Sequence, residues 1–163
     1  MPTPTYTPIA TTTLASATYS TSFSGISQSY RDLVLIVSGK CDVNSATLQM
    51  ILNNNTGYNY YTVVIDQGPW SYQDEGNQMR IGTAGWWTNQ QATMIATLND
   101  YSTTDRTKQV LFRYGSGTSK MGFTLGHYNQ SAAISTITVR TDYNGVGWLM
   151  AAGTTLTLYG IAG

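Results

Sequence analysis

Apolar and polar residues alternate along much of this chain at the two-residue period of a half-buried strand, and little of it follows the 3.6-residue period of a helix. Ala15, Ala17, Tyr19 and Phe23 alternate with Ser and Thr until Gly25 breaks the pattern. Residues 32–38 read Asp-Leu-Val-Leu-Ile-Val-Ser, a continuous apolar run too short for a helix, which predicts a central strand covered on both faces. Leu48, Met50 and Leu52 form the apolar face of the next strand. The run Asn53-Asn54-Asn55-Thr56-Gly57 is the strongest turn in the chain, because Asn and Gly tolerate positive φ, and it predicts a hairpin with residues 58–65 as the return strand. Alternation resumes with Ala92, Met94, Ala96 and Leu98, then Val110, Phe112 and Tyr114, and, beyond Gly115-Ser116-Gly117, Met121, Phe123 and Leu125. Residues 134–141, with Ile137 and Val139 inward, and 154–161, with Leu156 and Leu158 inward, complete the set. About nine strands at this spacing predict an all-β fold, an antiparallel two-sheet β-sandwich that is jelly-roll-like.

Two regions depart from the pattern. Pro2, Pro4 and Pro8 alternate with Thr and Tyr, a composition suited to an extended, solvated backbone, so residues 1–14 are expected to form an N-terminal arm before one sandwich domain at 15–163. Residues 66–89 hold several Gly together with Trp70, Tyr72, Trp86 and Trp87, and predict a long aromatic loop region interrupted by at most one short strand, at 78–81. Loops of that length in compact domains are usually functional or interfacial.

Composition sharpens this picture. The 26 Thr and 14 Ser outnumber the 16 charged residues, as expected for strands whose outer faces are polar without charge. The apolar and aromatic content excludes a disordered chain. A formal net charge of zero, with no block of like charges, leaves no electrostatic footprint for nucleic acid or an anionic membrane. There is no apolar stretch resembling a signal peptide or a membrane span, so the expectation is a soluble product made in the cytoplasm. Cys41 is the one cysteine; it excludes an intrachain disulfide and reads as a buried, inert thiol.

Candidate chemistry is sparse. His127 is the only histidine, its neighbours form no nucleophile elbow, and with one Cys it makes no convincing metal set. Asp66, Asp74 and Glu75 could offer oxygens to calcium, but their spacing matches no known loop. Asp100, Asp105 and Asp142 fall in turns, where Asp is common for local hydrogen-bonding reasons, and no glycine-rich phosphate loop occurs. Neither enzyme activity nor a cofactor is expected. The remaining signal is aromatic: Trp70, Tyr72, Trp86 and Trp87, with Asn89, Gln90 and Gln91 beside them, suit a sugar-binding surface, a protein interface, or rings that close the ends of a sandwich core.

Tyr6-Thr-Pro-Ile-Ala-Thr-Thr-Thr-Leu14, Tyr30-Arg-Asp-Leu-Val-Leu-Ile-Val37, and Leu52-Asn-Asn with Asn59-Tyr60 together resemble a family of small tailed-phage virion proteins. Asn99-Asp100-Tyr101 with Thr103, Thr104 and Lys108 is similar to its middle loop, and Ile137-Thr-Val-Arg140 with Gly153-Thr-Thr-Leu-Thr-Leu-Tyr-Gly-Ile161 to its closing strands. These are strand and turn motifs, and they bring no active-site residues with them. The resemblance, to proteins found largely in phages of cyanobacteria and other aquatic bacteria, implies a β-sandwich displayed on the virion. The first role it implies is a capsid decoration or cement protein, a homotrimer bridging major capsid subunits from outside. In that role Pro2, Pro4, Tyr6, Pro8 and Ile9 of the arm would contact the shell. The other is a tail-fibre tip whose aromatic loops grip host glycan. Decoration is the preferred expectation, since the chain lacks the repeats, glycine-rich shafts or heptads that join a tip to a tail.

Overall fold

The computed structural model describes residues 5–43, 46–66, 71–82, 87–117, 120–142 and 148–163, with Asp66, 71–74 and Asp142 as backbone only. Each predicted alternation contains a strand, and the full order is β1 (Tyr6–Thr13), β2 (Ser20–Ser24), β3 (Asp32–Gly39), β4 (Thr47–Leu52), β5 (Tyr60–Asp66), β6 (Ser71–Gly76), β7 (Met79–Ile81), β8 (Ala92–Leu98), β9 (Lys108–Ser116), β10 (Met121–Tyr128), β11 (Thr136–Asp142) and β12 (Thr155–Ile161). No helix among the described residues is long and apolar enough to cross a membrane.

All pairings are antiparallel and form two sheets, an eight-stranded one ordered β1-β12-β3-β8-β9-β10-β5-β6 and a four-stranded one ordered β2-β11-β4-β7. Setting aside β5, β6, β9 and β10 leaves β1-β12-β3-β8 facing β2-β11-β4-β7, with the chain changing sheet at every step from β1 to β4 and again across β7, β8, β11 and β12. That is the doubly wound connectivity of a jelly roll, as the spacing predicted. The other four strands extend the larger sheet into a wing, β9-β10-β5-β6.

Between the sheets lies one core. Leu33, Leu35, Val37, Met94, Ala96, Leu156 and Leu158 face Leu48, Met50, Leu52, Ile137 and Val139, all with no exposed surface, so the inward sets of these strands follow the sequence reading. Strand β3 lies between β12 and β8, the central place expected of it. Under the wing, Val110, Phe112 and Tyr60 belong to the same core cluster as Met79 and Ile81 of β7, which packs against β10 and β5.

The twelve strands exceed the expected nine by β1, β6 and β7, and two of these are corrections. The stretch read as a free arm is, from Tyr6 to Thr13, the edge strand β1, bonded along its length to β12. An edge strand tolerates Pro8 because one side of its ladder bonds nothing, and the missing N–H there also blunts the edge against further pairing. The region read as aromatic loop contains β6, bonded to β5. A third correction concerns the turn at Asn53 and Asn54, which do adopt positive φ of 52 and 54°. It does not make a hairpin: β4 belongs to the smaller sheet and β5 to the wing, so the turn carries the chain from one sheet to the other.

Polar side chains hold this crossing. Tyr60 has no exposed surface; its one hydroxyl proton is shared between the Asn55 and Leu52 carbonyls at 2.9 and 3.1 Å, and its oxygen accepts from the Leu52 amide at 3.0 Å. Its ring stacks on Tyr128 with centroids 4.8 Å apart, and the Tyr128 hydroxyl accepts from Asn55.

Cys41 is 1% exposed, and burial pushes its thiol from 9.0 up to about 11. A thiol whose folded value is raised contributes stability below the unfolded value and loses it as pH climbs through the folded one. Between pH 9 and 11 the wild type is expected to lose on the order of 2–3 kcal/mol from this group. The difference in urea midpoint across that window, compared between wild type and Cys41→Ala, measures it. A window difference as steep in the variant as in the wild type would assign the loss to other groups.

Candidate functional site

On β10 the apolar alternation points outward. Met121, Phe123 and Leu125 are 61, 40 and 50% exposed, whereas Thr124, Gly126 and Tyr128 face in. The reason is space: a Cβ on Gly126 would lie 2.6 Å from Met79 Sδ and 3.1 Å from the Phe112 ring, so β7 packs directly on the β10 backbone and the interior has room only for small residues there. The Thr124 hydroxyl, also inward, accepts a hydrogen bond from the Gly82 amide of the segment after β7. Large side chains on β10 must therefore occupy the other face.

Register places neighbours beside them. One row across the wing is Arg113, Phe123 and Ile65; the next is Leu111, Leu125 and Val63; the third is Gln109, His127, Tyr61 and Glu75. Leu111, Ile65 and Tyr61 are 37, 39 and 40% exposed, so, apart from Arg113 at one corner, the first two rows make a continuous apolar surface on the outside of the larger sheet, with the Tyr61 ring at its edge. The third row is polar and aromatic. Tyr61 stacks on His127 with centroids 5.8 Å apart and planes 28° from parallel. The Glu75 carboxylate, by its charge and by accepting the phenol's hydrogen bond, pushes Tyr61 above its ordinary value.

Where the second and third rows meet, a groove of about 440 Å³ crosses the strands, lined by Tyr61, Val63, Leu111, Leu125 and His127, with Asn99 and Gln109 at one end. Its size falls within the range of small-molecule sites. One wall is aliphatic and the other offers amides, an imidazole and a phenol. The Tyr61 phenol donates to Glu75, and the groove sets hydrogen-bonding groups beside an aliphatic wall, an arrangement suited to holding a small molecule.

The residues expected to form the site lie elsewhere. Pro2, Pro4, Trp70 and Trp86 are outside the described residues, as is the side chain of Tyr72 on β6. Trp87 is a correction: it is fully buried, its carbonyl accepting from the Ala46 amide at 2.8 Å, and it caps the core as one of the three aromatic readings had it. Tyr6, Pro8 and Ile9 lie on β1, where Tyr6 is 54% exposed and meets the Tyr159 ring edge-on at 6.3 Å. The three carboxylates weighed for calcium do not gather: β5–β6 register sets Asp74 and Glu75 opposite Thr62 and Tyr61, with Asp66 at the far end of β5. No cluster of three metal-ligating residues occurs among the described residues. The exposed face of the wing was missed because Met121, Phe123 and Leu125 look like any core-facing strand; the available signal was their alternation with Gly122, Thr124 and Gly126, residues too small to have filled a solvent face by preference.

No family model and no curated protein matches the chain. Among solved structures, the crystal structure of the marine PL-14 alginate lyase from Aplysia kurodai is similar at a TM-score of 0.40 and 12% identity, over 83% of this chain and 71% of that one, a likeness too distant to bear on chemistry.

Proposed function

We propose that this chain is a structural protein of a tailed-phage particle, a capsid decoration protein that works by non-covalent contact without bond-breaking. The observation that carries the reading is the uncovered apolar face of the wing. Phe123, Leu125, Leu111, Ile65, Met121 and Tyr61 leave roughly 500 Å² of apolar surface in one patch, as large as the largest patches that single soluble proteins expose. Such a surface is finished by assembly. The phage context rests on the strand and turn motifs that resemble small virion proteins, and a fold made of two hydroxyl-rich sheets agrees with it: Ser22, Thr138, Thr11 and Thr157 pair hydroxyl to hydroxyl across exposed strands. A neutral surface of this kind keeps contacts with a shell insensitive to salt.

The purified protein is expected to bind emptied capsids of its phage at a copy number stoichiometric with capsid sites, read by co-sedimentation and quantitative gel analysis. A second reading, a glycan-binding tail-fibre module, is favoured by the groove, since its aliphatic wall suits the apolar face of a pyranose and Asn99, Gln109, His127 and Tyr61 suit its hydroxyls. Binding to host cells or immobilised glycans, with capsids ignored, would transfer the function to that reading.

A further inference from the structure

The outer face of the wing has the outline of a square. Three strand spacings from β9 to β6 span about 14 Å, and four residues along a strand span about the same. The described side chains on it carry two formal charges, Arg113 on β9 in the first row and Glu75 on β6 in the third. They stand at opposite corners, about 20 Å apart by the same spacings and so unable to meet each other. Arg113 makes no ion pair among the described residues.

We infer that this face is covered by the same face of a second copy, about a twofold axis lying in the plane of the face along the other diagonal, from Gln109 to the Ser71 end of β6. A square maps onto itself under that operation, and the two charged corners exchange. Arg113 comes over the partner's Glu75 at one corner, and Glu75 beneath the partner's Arg113 at the other. Leu125 and Val63 meet the partner's Leu125 and the partner's Val63 near the axis, and Leu111 lies over the ring stack of the partner's Tyr61 and the partner's His127. The strands of the two copies cross near 90°, one of the two angles at which sheets pack face to face. The contact is isologous, so it closes at two copies. Two apolar patches of roughly 500 Å² with their polar rims reach the roughly 1,200 Å² at which specific interfaces begin, which predicts a dimer of modest affinity. This pairing rests on the reading that the wing face is covered in the assembled particle, and it favours a pair over the threefold arrangement that the resemblance implies.

Sedimentation velocity of the full chain across a concentration series tests it. The wild type is expected to move from 17.8 kDa to twice that mass as concentration rises. Leu125→Asp should remain monomeric with an unchanged circular dichroism spectrum, its side chain being exposed. Arg113→Glu and Glu75→Arg should each weaken pairing about tenfold or more, through like charges at both corners, and the double variant should recover most of it. A wild type that stays monomeric at every soluble concentration, a trimer, or a dimer indifferent to both charge reversals would overturn the pair. So would a glycan that binds the groove of the monomer and leaves its mass unchanged at concentrations where pairing is expected. Pairing without capsid binding would overturn the decoration reading alone; capsid binding by a strictly monomeric protein would overturn the pair alone.

Discussion

Asn53→Ala is expected to cost about 3 kcal/mol of unfolding free energy, a large share of the stability of a domain of this size. The side chain does the work of a splice between sheets. Its Oδ1 accepts from the Ser135 amide at 2.8 Å and the Thr136 amide at 3.2 Å, and its Nδ2 donates to the Ala133 carbonyl at 2.8 Å. The Asn53 amide in turn donates to the Thr136 carbonyl at 2.9 Å. Asn53 therefore fastens the end of β4 to the segment entering β11 while the chain turns toward the wing. Alanine would strip two amides and a carbonyl of their partner at a part-exposed site where water replaces some of what is lost, so each bond is worth about 0.5–1 kcal/mol. It would also have to hold φ at 52°, which Asn tolerates and Ala resists by about 1 kcal/mol. Asn53→Asp keeps both acceptor bonds and the turn preference, so it should recover most of the loss. Urea unfolding of the three proteins reads the difference; equal midpoints for the Ala and Asp variants would show that the lost Nδ2 donor to the Ala133 carbonyl, and neither the acceptor oxygen nor backbone strain, dominates.

Much of the fold was legible because period-two patterning names which residues share a face. Ala92, Met94, Ala96 and Leu98 share one, as do Val110, Phe112 and Tyr114, and all seven are buried. Patterning does not say which face is inside. On β10 the sign was reversed, because the interior volume there is supplied by Met79 from the opposite sheet and not by β10 itself. The same limit hid the site: an apolar alternation is read inward by default, and only packing with β7 shows that Phe123 and Leu125 have nowhere inside to go. Pro8 misled for a different reason. Proline argues against a central strand, but an edge strand and a free arm are equally open to it, and only the pairing of β1 with β12 separates them. The turn at Asn53 was visible as a turn, since positive φ is a local property. Its partner strand was not, because a jelly roll pairs strands far apart in sequence, β4 with β11 and β5 with β10.

Lys108 offers the sharpest test of how the wing is joined to the rest of the molecule. It begins β9, faces in, and is 1% exposed, with no carboxylate bonded to it among the described residues. The three protons of its ammonium are shared among the Thr103 carbonyl at 2.6 Å, the Arg106 carbonyl at 2.9 Å, the Ser131 carbonyl at 3.3 Å and the Thr103 hydroxyl at 3.1 Å. One cation thus gathers the loop before β9 and the segment after β10, the two connections that bracket the groove at its Asn99 and Gln109 end. Burial holds the amine below the usual lysine range, so above the depressed value the unfolded chain binds the proton more readily and stability from this group rises with pH until the ordinary lysine value is passed. Lys108→Met keeps the aliphatic stem and removes every donor. It is expected to cost about 2 kcal/mol, because three carbonyls lose a charged donor in a part-buried site. Hydrogen exchange should locate the loss in residues 99–107 and 129–134, with β3 and β12 remaining protected up to global unfolding. Exchange that rises evenly through both sheets would mean that the wing and the jelly roll unfold as one unit, and that Lys108 serves the whole core and not the join.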